Sequence, residues 1–334
     1  MANASIVRWE EPGPVGEDWP ARRDEQLARQ LGVVRPATAT VLTLILWLDA
    51  SAPLENWSQL AQDLAQGHPS RVVVIHPGDP AGPPICPVTV VATVRQRAGV
   101  HPLLFSEFLY LRPEGTLATH WIDLVQPLVM ADLPSYLWWV GLPPAADFPW
   151  ELLRAGIAHL IIDSSQVELS RWRSALWRAW AAQMRLEDLQ WQRLRPWRMA
   201  LADLADDPER RQALRRPESL EASWEAGEDD LTLLLGWLAA RLNWSRASLA
   251  ELLVRRQTNP ATLAVHLPGE TATLRRRGPQ LELCPDPKEP PRLYPAVSNR
   301  LSALRDVLSR GHDPLLDQAL EWALRAIPGD RLAD

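Results

Sequence analysis

From Val41 to Leu48 every position except Thr43 is apolar. So short and continuous a run reads as a strand buried on both faces. Leu54, Trp57, Leu60, Ala61 and Leu64 then recur at helical spacing, and Gly67 closes that helix. Arg71 to Ile75 returns to an apolar strand. Strand, helix, strand in this order implies a parallel pair with a right-handed crossover. Val88–Gln96 and Glu107–Leu111 predict further strands, separated from the second by the Pro/Gly-rich loop His76–Pro87. Thr119–Val129 reads as a helix. Ser135–Val140 reads as a short aromatic strand running into the turn Gly141–Pro144, Trp150–Ala155 as a helix, and His159–Ile162 as a last strand ending in Asp163.

Past residue 165 the period changes. Ser165 with Glu168 has the spacing of a capping box, ahead of a stripe of Leu169, Trp172, Leu176, Trp180 and Met184. Helices follow at Trp197–Ala205 and Leu231–Leu242. Alternating segments at Ser219–Glu225, Thr262–Leu267, Thr271–Arg275 and Gln280–Cys284 are punctuated by Pro268-Gly269-Glu270 and Arg277-Gly278-Pro279. Two helices close the chain. One carries Val297, Leu301, Leu304 and Leu308 and stops at Gly311; the other opens at Asp313-Pro314. The expected fold is an α/β N-terminal domain with a mainly parallel sheet over residues 37–165, followed by an α+β C-terminal domain over 166–334 with an antiparallel sheet and several helices. Residues 1–36, Pro/Gly-rich and charged, form a partly irregular extension with a short helix at Asp24–Leu31.

A chain of 334 residues accommodates two domains without help from metals or disulfides. Met1–Gly16 lacks the basic-then-apolar pattern of a signal peptide, and the longest apolar run falls far short of the ~20 residues that span a bilayer. With only Cys86 and Cys284, the expected setting is the reducing cytoplasm. A net charge of −6 argues against a general nucleic-acid binder, and the arginine runs Arg215–Arg216, Arg255–Arg256 and Arg275–Arg277 read as solvated.

Lys288 is the only lysine, and it lies in an acidic, proline-rich loop. That disfavours a P-loop and Schiff-base chemistry. No G-x-G-x-x-G or G-x-S-x-G occurs, and no two of the seven histidines lie at metal-ligand spacing. The expectation is therefore no catalytic residue, no cofactor and no metal. Tryptophan is abundant, 17 against three Phe and three Tyr. Its indole serves equally as core filling or as an interface anchor.

Three stretches carry a family resemblance. Asp132-Leu133-Pro134-Ser135-Tyr136-Leu137-Trp138-Trp139-Val140-Gly141-Leu142-Pro143-Pro144 is followed by Ile161-Ile162-Asp163-Ser164-Ser165, and then by Trp191-Gln192-Arg193-Leu194-Arg195-Pro196-Trp197-Arg198. His68-Pro69-Ser70-Arg71 and Gly236-Trp237-Leu238 match more weakly. In these stretches, between about residues 35 and 245, the chain resembles the OpcA family, the assembly proteins of glucose-6-phosphate dehydrogenase.

The resemblance implies a non-catalytic protein that binds this dehydrogenase and promotes its oligomerisation and activity. It makes Asp132, Pro134, Trp138, Trp139, Pro143, Trp191, Arg193, Trp197 and Arg198 the candidate partner contacts. Redox sensing through paired cysteines in the second half does not carry over, because only Cys284 lies there. From the residues themselves other roles stay open: core packing for Trp138 and Trp139, capping for Asp163, stacking inside the fold for the arginines. An enzyme or small-molecule regulator using the carboxyl edge of the first sheet, around His76 and Asp163, is the alternative.

Overall fold

The computed structural model describes residues 3–11, 38–49, 69–96, 103–224, 231–245, 251–256, 261–296 and 299–326, with isolated positions elsewhere. The chain divides into two compact units, one of Met1–Ile161 with Trp177–Arg185, the other of Ile162–Leu176 with Leu186–Asp334. The expected helices at residues 54–64 and 24–31 lie largely outside the described residues.

The first unit is built on β1 (Asn3–Glu11), β2 (Thr38–Ala39), β3 (Leu42–Leu48), β4 (Ser70–Ile75), β5 (Val88–Gln96), β6 (Leu103–Leu111), β7 (Ser135–Val140) and β8 (His159–Ile162). They lie side by side in the order β1-β5-β6-β4-β3-β7-β8, with β2 beside β6. The pairs from β6 through β8 are parallel, whereas β5 is antiparallel to β1 and β6. The parallel sheet expected from the apolar runs is therefore present. Its central strand β3 is buried along nearly its whole length. From β3 the chain builds outward one way through β4 and β6, then resumes on the other side with β7 and β8. The strand order thus reverses between β3 and β7.

Within the extension expected to be partly irregular, Asn3–Glu11 is a nine-residue edge strand. One local expectation is corrected. The helix expected over 119–129 is broken into Thr116–Thr119, Trp121–Val125 and a 3-10 turn Gln126–Leu128. Pro127 lacks the amide that would continue the helix.

The second unit contains the antiparallel sheet, formed by β10 (Ser219–Ser223), β11 (Leu253–Arg256), β12 (Thr262–Leu267), β13 (Glu270–Arg277), β14 (Gln280–Cys284) and β15 (Arg292–Pro295); β9 (Arg185–Asp188) precedes them in the chain. The order is β11-β10-β12-β13-β14-β15, and only β10 and β11 run parallel. Alternate residues Leu263, Val265, Leu267, Ala272, Leu274, Leu281 and Leu283 face the core. Arg276 falls on this inward set and is buried, its Nε donating to Gly278 O, so the run Arg275–Arg277 is not wholly solvated.

Among the described residues, helices of this unit include Leu189–Arg193, Arg195–Leu204, Pro208–Leu214, Thr232–Leu242, Arg300–Arg310 and Pro314–Ala326. The helices Thr232–Leu242 and Pro314–Ala326 pack so closely that a Cβ on Gly236 would lie 2.5 Å from the Ala319 carbonyl. The capping box is not formed. Ser165 Oγ turns back and donates to Asp163 at 2.6 Å, and the next helix begins at Leu169.

Candidate functional site

The Trp138–Trp139 segment is β7, where successive side chains point to opposite faces. Both indoles are buried, at 1% and 3% exposure. Trp139 stacks on its register neighbour Trp47 with ring centroids 4.2 Å apart. Phe148 meets it edge-on at 5.2 Å, and Trp121 and Trp150 complete the cluster through Phe148. Trp47 and Trp139 lie near the carboxyl ends of β3 and β7, where the strand order reverses. Open α/β sheets take their ligands in the crevice beyond such carboxyl ends.

The loop after β7 is shaped by the same cluster. Trp139 Nε1 donates to Leu142 O at 2.8 Å. Gly141 has φ +114°, and a Cβ there would strike the Asp49 side chain at 2.7 Å, so the turn requires glycine. The loop then leaves Leu142 exposed (52%) and Pro143 half-buried, and Leu152 of the helix Trp150–Arg154 is also exposed (44%). Asp132 and Pro134 are exposed at the other end of the strand. Six residues of β7 separate the two ends by roughly 20 Å, so this motif does not form one patch.

In the second unit, Trp191 and Trp197 are buried at 0% and 1%. Trp191 Nε1 donates to Asp313 Oδ2 at 2.8 Å, and the Arg198 guanidinium lies 3.4 Å from the Trp191 ring centroid while donating to Trp191 O. Burial pulls the Arg198 guanidinium down to about 9, with Asp313 opposing and Arg195 adding to the fall. Indoles this deeply buried cannot touch a partner unless the surface over them moves.

Arg193, also buried, forks onto Asp163, with contacts of 2.7 Å to Oδ1 and 3.0 Å to Oδ2. Burial works to raise the Asp163 pKa, but Arg193, Ser165 and Arg300 outweigh it and hold the carboxyl below its usual value. Asp188 caps the helix Leu189–Arg193: its Oδ1 accepts from the backbone N–H of Ser164 at 3.2 Å and of Gln190 at 2.9 Å. Its Oδ2 is closed off from solvent. Burial, and then the neighbouring Asp163 charge, push Asp188 up to about 7. His312 bridges two carboxylates, Nδ1 to Glu187 at 3.1 Å and Nε2 to Asp317 at 2.8 Å. Burial works against its charged form, yet Asp317 and Glu187 prevail and raise its pKa.

The structure therefore joins Asp163 and Arg193, which the sequence places in separate motifs. Sequence reasoning misses Asp188, Glu187 and His312; the available signal is a pair of acids set between Leu186 and Leu189 in an apolar segment. No group of three or more His, Cys, Asp or Glu among the described residues is arranged to hold a metal ion. No helix among them is long and apolar enough to cross a membrane.

Two family models match in succession: a glucose-6-phosphate dehydrogenase subunit N-terminal domain over residues 61–178 and the corresponding C-terminal domain over 184–320. A putative OxPP cycle protein OpcA of Nostoc punctiforme is 28% identical over 203 residues, which are 57% of this chain and 41% of that protein. The protein of the same description from Synechocystis is 27% identical over 204 residues, with the same two shares. The match thus spans about two fifths of these curated relatives. Among solved structures, levoglucosan dehydrogenase in complex with NADH aligns over 87% of this chain and 97% of its own, at 11% identity and TM-score 0.47. An NAD-binding oxidoreductase from Klebsiella pneumoniae aligns over 86% and 96%, at 10% identity and TM-score 0.47.

Proposed function

The chain belongs to the OpcA family, whose two domain models it matches in order, and from that premise we propose that it binds glucose-6-phosphate dehydrogenase in the cytoplasm and promotes its oligomerisation and activity without chemistry of its own. The observation that carries a contact surface is the loop after β7. Leu142 and Leu152 are exposed, three prolines (Pro143, Pro144 and Pro149) stiffen the chain between them, and Trp139 and Phe148 anchor it from beneath. An apolar surface already held in shape loses little conformational freedom on binding. Pro143 belongs to this surface; Asp132 and Pro134 form a separate contact at the opposite end of β7. Trp138 and Trp139 support these surfaces from inside; Trp191, Trp197 and Arg193 are buried within the second unit, with half-buried Arg198 as the candidate contact there.

The test titrates the chain into the dehydrogenase while following activity and sedimentation. Only a protein that binds the assembled, active form more tightly can shift that equilibrium. Activity and apparent mass should rise together and saturate at fixed stoichiometry. Leu142→Asp should weaken the effect by ~10-fold or more in apparent affinity, with melting unchanged. Activity and mass both unmoved by the wild-type chain would end this reading.

A further inference from the structure

The sheet of the second unit has a packed face and an open one. The residues between the buried positions of β10, β12, β13 and β14 are half-exposed or exposed. Across the pairing register, Glu221, Ala264, Thr273 and Cys284 form one open row, and Ser223, Thr262, Arg275, Glu282 and Leu293 the next. The middle of this face is small: Thr262, Ala264 and Thr273 let another sheet approach to the ~10 Å spacing of packed sheets.

Glu221, 3.7 Å from His266, lies on β10; Arg275 and Arg277 lie two strands away on β13, where Glu282 of β14 pairs with Arg277 at 2.6 Å. Leu293, at 58%, is the most exposed large apolar side chain among the described residues, and it sits at the rim on β15.

We propose that a second copy of the chain docks on this face, sheet upon sheet, about a two-fold axis passing over Thr262 and Ala264. The charges select that occupant. The midpoint between Glu221 and Arg275 falls at Thr262 and Ala264 on β12. A two-fold axis there, lying in the interface and perpendicular to the line joining the two charges, carries each onto the other's position. Glu221 of one copy then faces Arg275 of the other, twice over, as an isologous interface requires. Six strands at ~4.8 Å spacing span about 24 Å, the scale of one side of a standard interface of about 800 Å² per partner. The dimer does not depend on the identity of the dehydrogenase partner.

Sedimentation of the purified full chain at micromolar concentrations tests it. The expected mass is twice that of the chain. Ala264→Arg, at a half-exposed position, should give a monomer with an unchanged melting curve. Glu221→Arg should weaken dimerisation about tenfold or more, and adding Arg275→Glu to it should restore the dimer. A wild-type chain that sediments as a monomer overturns the proposal, as does a dimer unaffected by both single changes. If Ala264→Arg lowers the melting point, the charge exchange decides: restoration upholds the two-fold pairing, and failure to restore refutes it.

Discussion

Arg193 grips Asp163 through both carboxylate oxygens, and both side chains are almost fully buried. The fork ties the turn after β8 to the helix Leu189–Arg193. Taking two charges out of water is costly, and the cost is met only while the pair stays matched. Arg193→Met should therefore destabilise the protein by about 3–5 kcal/mol, measured by urea unfolding. Adding Asp163→Asn should recover part of that loss. A cost that is the same in the single and double variants would show that the buried charge is not what makes the position sensitive.

Asp188 sets a pH dependence. Its folded pKa of about 7 lies above its ordinary 3.8, so between those values the folded state holds a proton that the unfolded state has released. Stability from this group therefore falls by about 1.4 kcal/mol for each pH unit climbed through that window, and levels off above it. Asp163, whose pKa is lowered, acts in the opposite sense and only at lower pH. Asp188→Asn keeps the oxygen that caps Gln190 and removes the charge. Its urea midpoint should change less between pH 4 and pH 7 than that of the wild type and exceed it at pH 8; equal slopes would place the proton elsewhere.

His312 contributes in the same direction at higher pH. Its raised pKa means that the bridge to Glu187 and Asp317 is intact below the ordinary value of 6.5 and is lost as pH rises through the folded value. His312→Gln should lower the midpoint at pH 6 more than at pH 9. A loss equal at both values would assign the histidine to packing alone.

Gly236 is needed for closeness rather than for backbone freedom. Gly236→Ala improves helix propensity by ~1 kcal/mol but drives a methyl into the Ala319 carbonyl. The net effect expected in thermal melts is a loss of about 1–3 kcal/mol. Stabilisation by alanine would mean that the two helices separate at little cost.

Cys86 and Cys284 are both free. Burial pushes the Cys86 thiol up to about 11, which leaves little of the reactive thiolate at neutral pH. Alkylation of Cys86 by iodoacetamide at pH 7.5 should be slower than that of free cysteine. Labelling as fast as the free amino acid would contradict the burial.

What was legible in the sequence follows from distance along the chain. β3 and β4 announce themselves because a strand buried on both faces must be apolar throughout, and the hairpins of the second sheet because glycine turns mark their corners. The buried pair Arg71–Glu107 carries no such mark: its members are 36 residues apart and meet only because β4 and β6 are register neighbours. The edge strands β1 and β15 were unmarked because one-sided pairing imposes a weaker pattern. Ser165 misled because a short hydroxyl side chain has several local acceptors, and the carboxylate of Asp163 won over the helix end. The tryptophans were ambiguous for a related reason: an indole has the same composition signature in a core as at an interface.

The stacked Trp47 and Trp139 give the first unit an optical signature of its own. Indoles 4.2 Å apart and inclined by 21° couple their electronic transitions, so the pair contributes a split circular-dichroism band that separated indoles lack. Trp177 and Trp180, 5.3 Å apart on one helix, add a contribution of their own; the part of the band that Trp47→Phe removes exists only while β3 and β7 lie in register, which makes it a label-free gauge of pairing where the strand order reverses.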